Sequence, residues 1–193
     1  MALFEYDELQ GIQWTWQAMD GAMAKAPLGG EATGKNPTDR AKLGTKRSVL
    51  TDGAGVPLGV VVSGAHTPDM KLVETTLESI PVERPPPTAG EPQNMCLDKG
   101  YDFPEVRELV DEYGYTAHIP FKKKRGEPAP KAKDPLQKIP GYRARRWVVE
   151  RTHSWMNRFR RLLIRWEKKP KNYLGFLHFA CAWITLRAAR VLG

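Results

Sequence analysis

The chain has 193 residues, of which 41% are hydrophobic, and a formal net charge of +8. This length allows one domain with a buried core and is too short for two domains of ordinary size. No apolar run approaches the roughly 20 residues of a membrane span, and the N-terminus lacks the charged-then-apolar order of a signal peptide, so we expect a cytoplasmic protein with no membrane partner.

The positive charge is concentrated in residues 121–171. This segment contains 18 lysines and arginines and four acidic residues, a net charge of about +14, so the remainder of the chain is net negative. Separate blocks of opposite sign are typical of proteins that bind a polyanion, and nucleic acid is the first candidate.

Three β-rich runs in the first third of the chain predict antiparallel strands. They cover residues 14–26, 46–50 and 57–63, and the Asp-Gly-Ala-Gly sequence at 52–55 has the composition of a hairpin connection between the last two. Asp20 falls inside the first predicted strand.

Helices and strands alternate in the next part of the chain. The short buried strand ends in a carboxylate, Asp98, and the helix that follows it is closed by Gly114 as a C-cap. Apolar spacing and turn residues predict a helix at 69–80, a strand at 95–98, a helix at 104–113 and a strand at 115–121.

Residues 122–141 are basic and proline-rich, which predicts a loop inside the domain. A helix is expected at 143–166, with apolar residues on one face and arginines on the other, and a final apolar helix at about 173–192. This order predicts a single α/β domain over residues 1–193, in which three antiparallel strands of a mixed sheet are followed by alternating helices and strands.

The sequence gives only weak signals for disulfides, a zinc site or a nucleotide cofactor. Cys96 and Cys181 stand in unrelated contexts without metal-ligand spacing, and the glycines form no phosphate-binding loop. The sequence therefore predicts no disulfide framework, zinc site or nucleotide cofactor.

Three acidic residues occupy positions suited to catalysis. Asp20 and Asp98 lie in predicted strands and Glu150 lies in the long predicted helix. Taken singly, the aspartates could equally serve turns or caps, and Glu150 could form a helix-surface salt bridge with Arg146. If the fold brings all three together, cations must offset their repulsion, and hard oxygen ligands suit Mg²⁺ or Mn²⁺. Two such ions roughly 3.5–4 Å apart support in-line displacement at a phosphodiester.

Several motifs surround these acids. They are Asp20-Gly21, Asp52-Gly53 with Pro57-Leu58-Gly59, Leu97-Asp98-Lys99-Gly100-Tyr101, and Val149-Glu150-Arg151-Thr152-His153-Ser154-Trp155 followed by Arg158-Phe159-Arg160-Arg161-Leu162. With them the chain resembles, over nearly its whole length, the DDE transposases of bacterial insertion sequences, and among these the insertion sequence five group. The resemblance implies a ribonuclease H-like core with helices on both faces of the sheet. It also implies a catalytic triad of Asp20, Asp98 and Glu150 that binds two Mg²⁺ or Mn²⁺ ions.

The chain departs from the family pattern in two places. In the family signature around the glutamate, Arg146 and Glu150 match, but Arg143 stands in the tyrosine position and Asn157 in the lysine position. Only 19 residues precede Asp20, where family members usually carry an N-terminal DNA-binding segment. We therefore expect that domain to be absent, as in the downstream reading frame of a split transposase or a truncated copy, with an upstream-frame DNA-binding protein as a partner.

The expected activity is metal-dependent hydrolysis of DNA strands at the element ends, followed by attack of the freed 3′-hydroxyl on target DNA. This chemistry needs no ATP. The partner is double-stranded DNA, and pairing two ends implies a homo-oligomer. Two alternative functions are compatible with the same acidic residues and basic segment. They are a ribonuclease H-like nuclease without strand transfer, and a DNA-binding transposase remnant without catalysis.

Basic side chains near these elements are predicted to contact the DNA backbone. The tryptophans are expected in the core and His153 on the surface of its helix. Asp52 and Asp69 could support the site, but turn and N-cap roles explain both residues. The predicted DNA contacts are Lys122, Lys123, Lys124 and Arg125 in the loop, and Arg146, Arg158, Arg160, Arg161 and Arg165 on the helix.

Overall fold

The computed structural model describes residues 1–122 and 145–192. Two short 3-10 helices span Asp69–Leu72 and Lys99–Tyr101. The other elements are, in chain order, α1 (Ala2–Gln10), β1 (Trp16–Lys25), β2 (Gly34–Lys35), β3 (Leu43–Thr51), β4 (Pro57–Gly64), α2 (Val73–Glu78), β5 (Gln93–Cys96), α3 (Pro104–Glu112), β6 (Tyr115–His118), α4 (Trp147–Met156), α5 (Arg160–Leu163) and α6 (Pro170–Ala188).

The strands of the described ranges form one six-stranded mixed sheet, which confirms the predicted fold class. Strands β1, β3 and β4 pair antiparallel, whereas β1, β5 and β6 pair parallel. The short β2 pairs with the first residues of β3, giving the order β2-β3-β1-β5-β6 with β4 also on β3. β1 is therefore the strand where the antiparallel and parallel halves of the sheet meet.

Alternate residues of the strands enter separate cores on the two faces of the sheet. Met19 and Leu50 pack with α1, α2 and α3 on one face, while Ala18 and Val49 pack with α4, α5 and α6 on the other. The expected helices on both faces are thus confirmed. In the ranges that the structure describes, no helix is long and apolar enough to cross a membrane.

Two parts of the helical structure differ from the sequence prediction. Helix α1 was not predicted, because its apolar residues do not share one face: Leu3 and Tyr6 are buried, whereas Phe4 and Leu9 are exposed. Of the predicted basic loop at 122–141, only its first residue belongs to the described ranges.

The single helix predicted at 143–166 is wrong. Helix α4 ends at Met156, and the backbone is extended at Phe159 and again at Ile164. Ile164 forms an isolated parallel bridge with Lys25 at the end of β1, and the N–H of the next residue donates to the Lys25 carbonyl at 2.8 Å. The helical spacing of apolar residues continues through this break because the short α5 also buries Leu162.

Candidate active site

Asp20 and Asp98 lie at the same level on neighbouring parallel chains. Ala18 of β1 is paired with Cys96 of β5, and each carboxylate follows two residues later. Asp98 caps the 3-10 helix after β5, and its Oδ1 accepts a hydrogen bond from the Gly100 N–H at 2.5 Å. Because alternate strand residues face the same side, Asp20 faces the side of Ala18, which is covered by α4.

Glu150 approaches the two aspartates from α4, next to the buried Val149. Arg146, one turn earlier, lies between the acids: its guanidinium is 3.0 Å from Glu150 Oε1 and 3.9 Å from Asp98 Oδ2. These side chains are 34–50% exposed, so the ion pairs contribute little more than about 1 kcal/mol to stability. The structure thus brings the three predicted acids to one end of the sheet, and it also contains the predicted Arg146–Glu150 salt bridge.

Burial raises the pKa of Asp20 from 3.8 to about 6. A hydrogen bond from the Gly21 backbone opposes this rise, and the negative charges of Asp98, Asp69 and Glu150 add to it. The site is therefore short of positive charge at Asp20. A divalent cation would compensate that charge and displace the proton from the carboxyl group.

The residue types at this site fit a hard divalent cation, because carboxylate oxygens are the ligands that Mg²⁺ and Mn²⁺ prefer. Arg146 already supplies a positive charge between Asp98 and Glu150. Over residues 1–122 and 145–192, no three His, Cys, Asp or Glu side chains stand close enough to ligate one ion together. Binding at these acids would therefore require their side chains to move closer together, and the Arg146 guanidinium, which pairs with Asp98 and Glu150, to move aside.

His153 is buried, so its predicted place on the helix surface is wrong. It is 6% exposed, and its Nε2 lies 3.3 Å from the Asp20 backbone carbonyl, to which it donates. Burial, followed by the charge of Arg47, lowers the pKa of His153 to about 3, so the imidazole is neutral at pH 7. The sequence contained this signal, because Val149, His153 and Met156 recur at the helical spacing of one buried face.

Asn157, in the lysine position of the family signature, has a structural contact. Its Oδ1 accepts a hydrogen bond from the buried Arg47 of β3 at 2.5 Å, which ties the end of α4 to the sheet. Arg143, in the tyrosine position, and Tyr142 beside it lie outside the described residues.

The turn role predicted for Asp52 is confirmed, because its Oδ1 accepts from the N–H groups of Ala54 and Val56 at 2.9 and 2.8 Å. The N-cap role predicted for Asp69 is wrong. The preceding proline occupies the cap position, and the Asp69 carboxylate instead forms a 2.8 Å ion pair with Lys46.

Lys122 is the member of the predicted basic loop that the structure describes. Its Nζ donates to the Gly100 carbonyl at 3.1 Å and lies 3.7 Å from the centre of the Phe103 ring. It therefore stands beside the segment that carries Asp98. Outside the described residues lie the predicted contacts Lys123, Lys124 and Arg125.

The arginines beyond α4 divide into two groups. Arg158 and Arg160 are exposed, and Arg161, also exposed, pairs with Glu167. Arg165 is 1% exposed, so its predicted DNA contact is wrong. Its guanidinium instead joins three segments by donating to the carbonyls of Glu31, Ala32, Glu167 and Lys168 and to the hydroxyl of Thr45.

The prediction that the tryptophans lie in the core is wrong for three of the six, whereas Trp14, Trp16 and Trp155 are partly buried and pack against the hydrophobic cores. Trp147, Trp166 and Trp183 are 44–53% exposed, and the other three are half-buried. Trp166 follows the extended segment after α5, so it does not continue the apolar face of α4. The guanidinium of Arg151 lies 4.8 Å from the rings of both Trp147 and Trp155.

Residues 17–185 match the family model described as a transposase DDE domain, and these residues include all three acids. A curated protein of Burkholderia cepacia, named "Putative transposase for insertion sequence element IS402", is 34% identical over 167 residues. That alignment covers 81% of this chain and 71% of the relative.

Proposed function

The chain belongs to the DDE transposases of insertion sequences, which cleave DNA and transfer strands with the help of divalent metal ions, and we propose that Asp20, Asp98 and Glu150 are its catalytic triad. The observation that carries this proposal is the meeting of two parallel strand positions and α4 at one end of the sheet. The raised pKa of Asp20 supports it, because that carboxyl group responds to both of the others. Membership of the insertion sequence five group stays a prediction.

The proposed reaction has two displacements at phosphorus. Water attacks the phosphodiester at an element end, the bond to the 3′ oxygen breaks, and a 3′-hydroxyl is released. That hydroxyl then attacks a phosphodiester of target DNA, so one P–O bond forms as another breaks and no ATP is consumed. Two Mg²⁺ or Mn²⁺ ions held by the triad would activate the attacking oxygen and stabilise the leaving oxygen.

The protein's own residues contribute position and charge. Asp20 is fixed by β1 and by the hydrogen bond between its carbonyl and His153, while Asp98 is fixed by the Gly100 N–H. Arg146 is half-exposed between two of the acids, and we propose that it pairs with a DNA phosphate once cations occupy the site. Pairing of two element ends would require at least two copies of the chain.

The test is incubation of the protein with double-stranded DNA that carries the element ends, in the presence of Mg²⁺ or Mn²⁺. We expect strand cleavage and, when target DNA is added, joined products. Cleavage without joined products would favour the ribonuclease H-like nuclease. DNA binding without cleavage, and without a Tm increase on adding either metal, would instead favour the non-catalytic remnant.

We also propose that Arg146, Arg158, Arg160, Arg161 and Lys122 contact the DNA backbone. The double variant Arg158→Gln, Arg160→Gln should weaken binding at all sequences and reduce the slope of log affinity against log salt by about 0.9 per lost phosphate contact. Lys35→Gln is the control, because Lys35 is an exposed cation on β2 outside the basic segment. Equal salt slopes for the wild type and the double variant would remove these arginines from the interface.

A further inference from the structure

A fourth carboxylate, Asp69, lies beside Asp20 at β1. Neighbouring strand residues face opposite sides, so Gly21 faces the layer of α1–α3 while Asp20 faces α4. A Cβ placed on Gly21 would come within 2.2 Å of Asp69 Oδ1. The space left by the missing side chain is therefore filled by the Asp69 carboxylate, which lies against the backbone immediately after Asp20.

Lys46 holds Asp69 in this place. Its Nζ is 2.8 Å from Asp69 Oδ1 and donates to the Thr67 carbonyl at 2.7 Å, and the lysine side chain is only 6% exposed. Asp69 Oδ1 is buried, whereas the aspartate side chain as a whole is 36% exposed. This arrangement leaves Oδ2 as the oxygen that can reach a ligand.

A buried hydroxyl belongs to the same cluster. Tyr101 is 1% exposed, and its hydroxyl has no hydrogen-bond partner among the described residues. Burial, and then the charges of Asp69, Asp20 and Asp98, raise the pKa of this hydroxyl well above its usual value, so it remains a donor. The 3-10 helix that ends at Tyr101 packs against the one that begins at Asp69. A buried donor without an acceptor is destabilising, and in native proteins such a group is accounted for by a ligand, an ordered water or a functional role.

We propose that Asp69 is a fourth carboxylate of the divalent-cation site, and that Tyr101 is a positioning residue whose hydroxyl donates to this acid cluster when a cation is bound. The inference rests on the proposed function of Asp20, Asp98 and Glu150. It adds a carboxylate from the opposite face of the sheet, so a bound cation would bring acids from both helical layers together beside β1.

The test is Mn²⁺ titration of the full chain, followed by electron paramagnetic resonance of the free ion. Asp69→Asn should raise the Kd for Mn²⁺ about tenfold or more, in the range seen when groups around a metal site are removed. The matched control is Asp39→Asn, because Asp39 is also an aspartate beside a lysine, with Lys25 Nζ at 3.7 Å. Asp98→Asn is the reference for loss of a triad ligand.

Tyr101→Phe separates the positioning role from a structural one. Removing an unpartnered buried hydroxyl should raise the metal-free Tm by about 3 °C. It should also raise the Kd for Mn²⁺ about fivefold, the loss expected for one hydrogen bond. A structural role alone would change the Tm and leave the Kd at its wild-type value. Tyr101→Phe also keeps the inference testable if Asp69→Asn fails to fold.

Wild-type Mn²⁺ affinity in both Asp69→Asn and Tyr101→Phe, with weakened binding in Asp98→Asn, would overturn this inference and leave the proposed function intact. Wild-type affinity in Asp98→Asn as well would overturn the proposed cation site itself.

Discussion

Asp98→Asn is expected to slow DNA strand cleavage about 10³-fold. Two unit charges roughly 4 Å apart interact by about 4 kcal/mol at an effective dielectric constant near 20. Loss of that much transition-state stabilisation with the Asp98 charge corresponds to about a thousandfold in rate. The fold should tolerate the change, because the asparagine Oδ1 can still accept from the Gly100 N–H and the ion pair with Arg146 is half-exposed. We therefore expect the free energy of unfolding to change by less than about 1 kcal/mol.

The measurement is single-turnover cleavage of end-containing DNA with Mg²⁺, together with DNA affinity in the absence of metal. Affinity should stay equal or become slightly tighter, since the variant removes a negative charge near the phosphate backbone. Asp111→Asn, on the exposed side of α3, is the control for loss of a carboxylate elsewhere. Cleavage by Asp98→Asn within tenfold of the wild-type rate would remove Asp98 from the catalytic triad.

Asp20→Asn should produce an inactive protein that is more stable than the wild type at neutral pH without metal. The native pKa of Asp20 is about 6 against 3.8 for an ordinary aspartate, so the native state binds this proton more tightly than the unfolded state. The Asp20 contribution to stability therefore falls as pH rises from about 4 to 6, and the deficit persists above pH 6. A difference of about two pKa units corresponds to roughly 3 kcal/mol.

Urea unfolding of both proteins between pH 4 and 8, with EDTA present, tests this prediction. Near pH 4 the two free energies of unfolding should be close, because Asp20 is protonated in the native state. The advantage of the variant should grow up to about pH 6.5 and then level off. A difference that does not vary with pH would contradict the raised pKa of Asp20. Adding Mg²⁺ should stabilise the wild type and not the variant.

The sheet could be predicted from local patterns. The hairpin sequence at 52–55, the carboxylate at the end of a short apolar strand and the C-cap at Gly114 are all properties of neighbouring residues. The end of α4 could not be predicted, because it depends on distant partners. Asn157 is bound by Arg47, and Ile164 pairs with Lys25, more than 100 residues away in each case.

In the candidate site, too, some features could be predicted from the local sequence and others depend on distant residues. The proposed triad of Asp20, Asp98 and Glu150 was selected from residue type, position and the family resemblance, and parallel pairing of β1 with β5 explains why the two aspartates lie at the same level. For Asp69 an N-cap role was preferred to a supporting role at the site, because the local sequence does not show that its carboxylate lies against Gly21 of β1. For Arg165 a DNA contact was predicted wrongly, because the spacing of neighbouring residues does not show that its guanidinium contacts three separate segments.

The two attachments of the α4–α5 region to β1 govern how the site is built. His153 contacts the backbone of Asp20, and Ile164 is bridged to Lys25 five residues further along the same strand. The placement of Glu150 is therefore governed by β1, not by the number of residues that connect Asp98 to Glu150. Insertions or deletions between the end of β6 and the start of α4 would leave both attachments in place, so the length of that stretch can differ among related chains while β1 still fixes the place of Glu150.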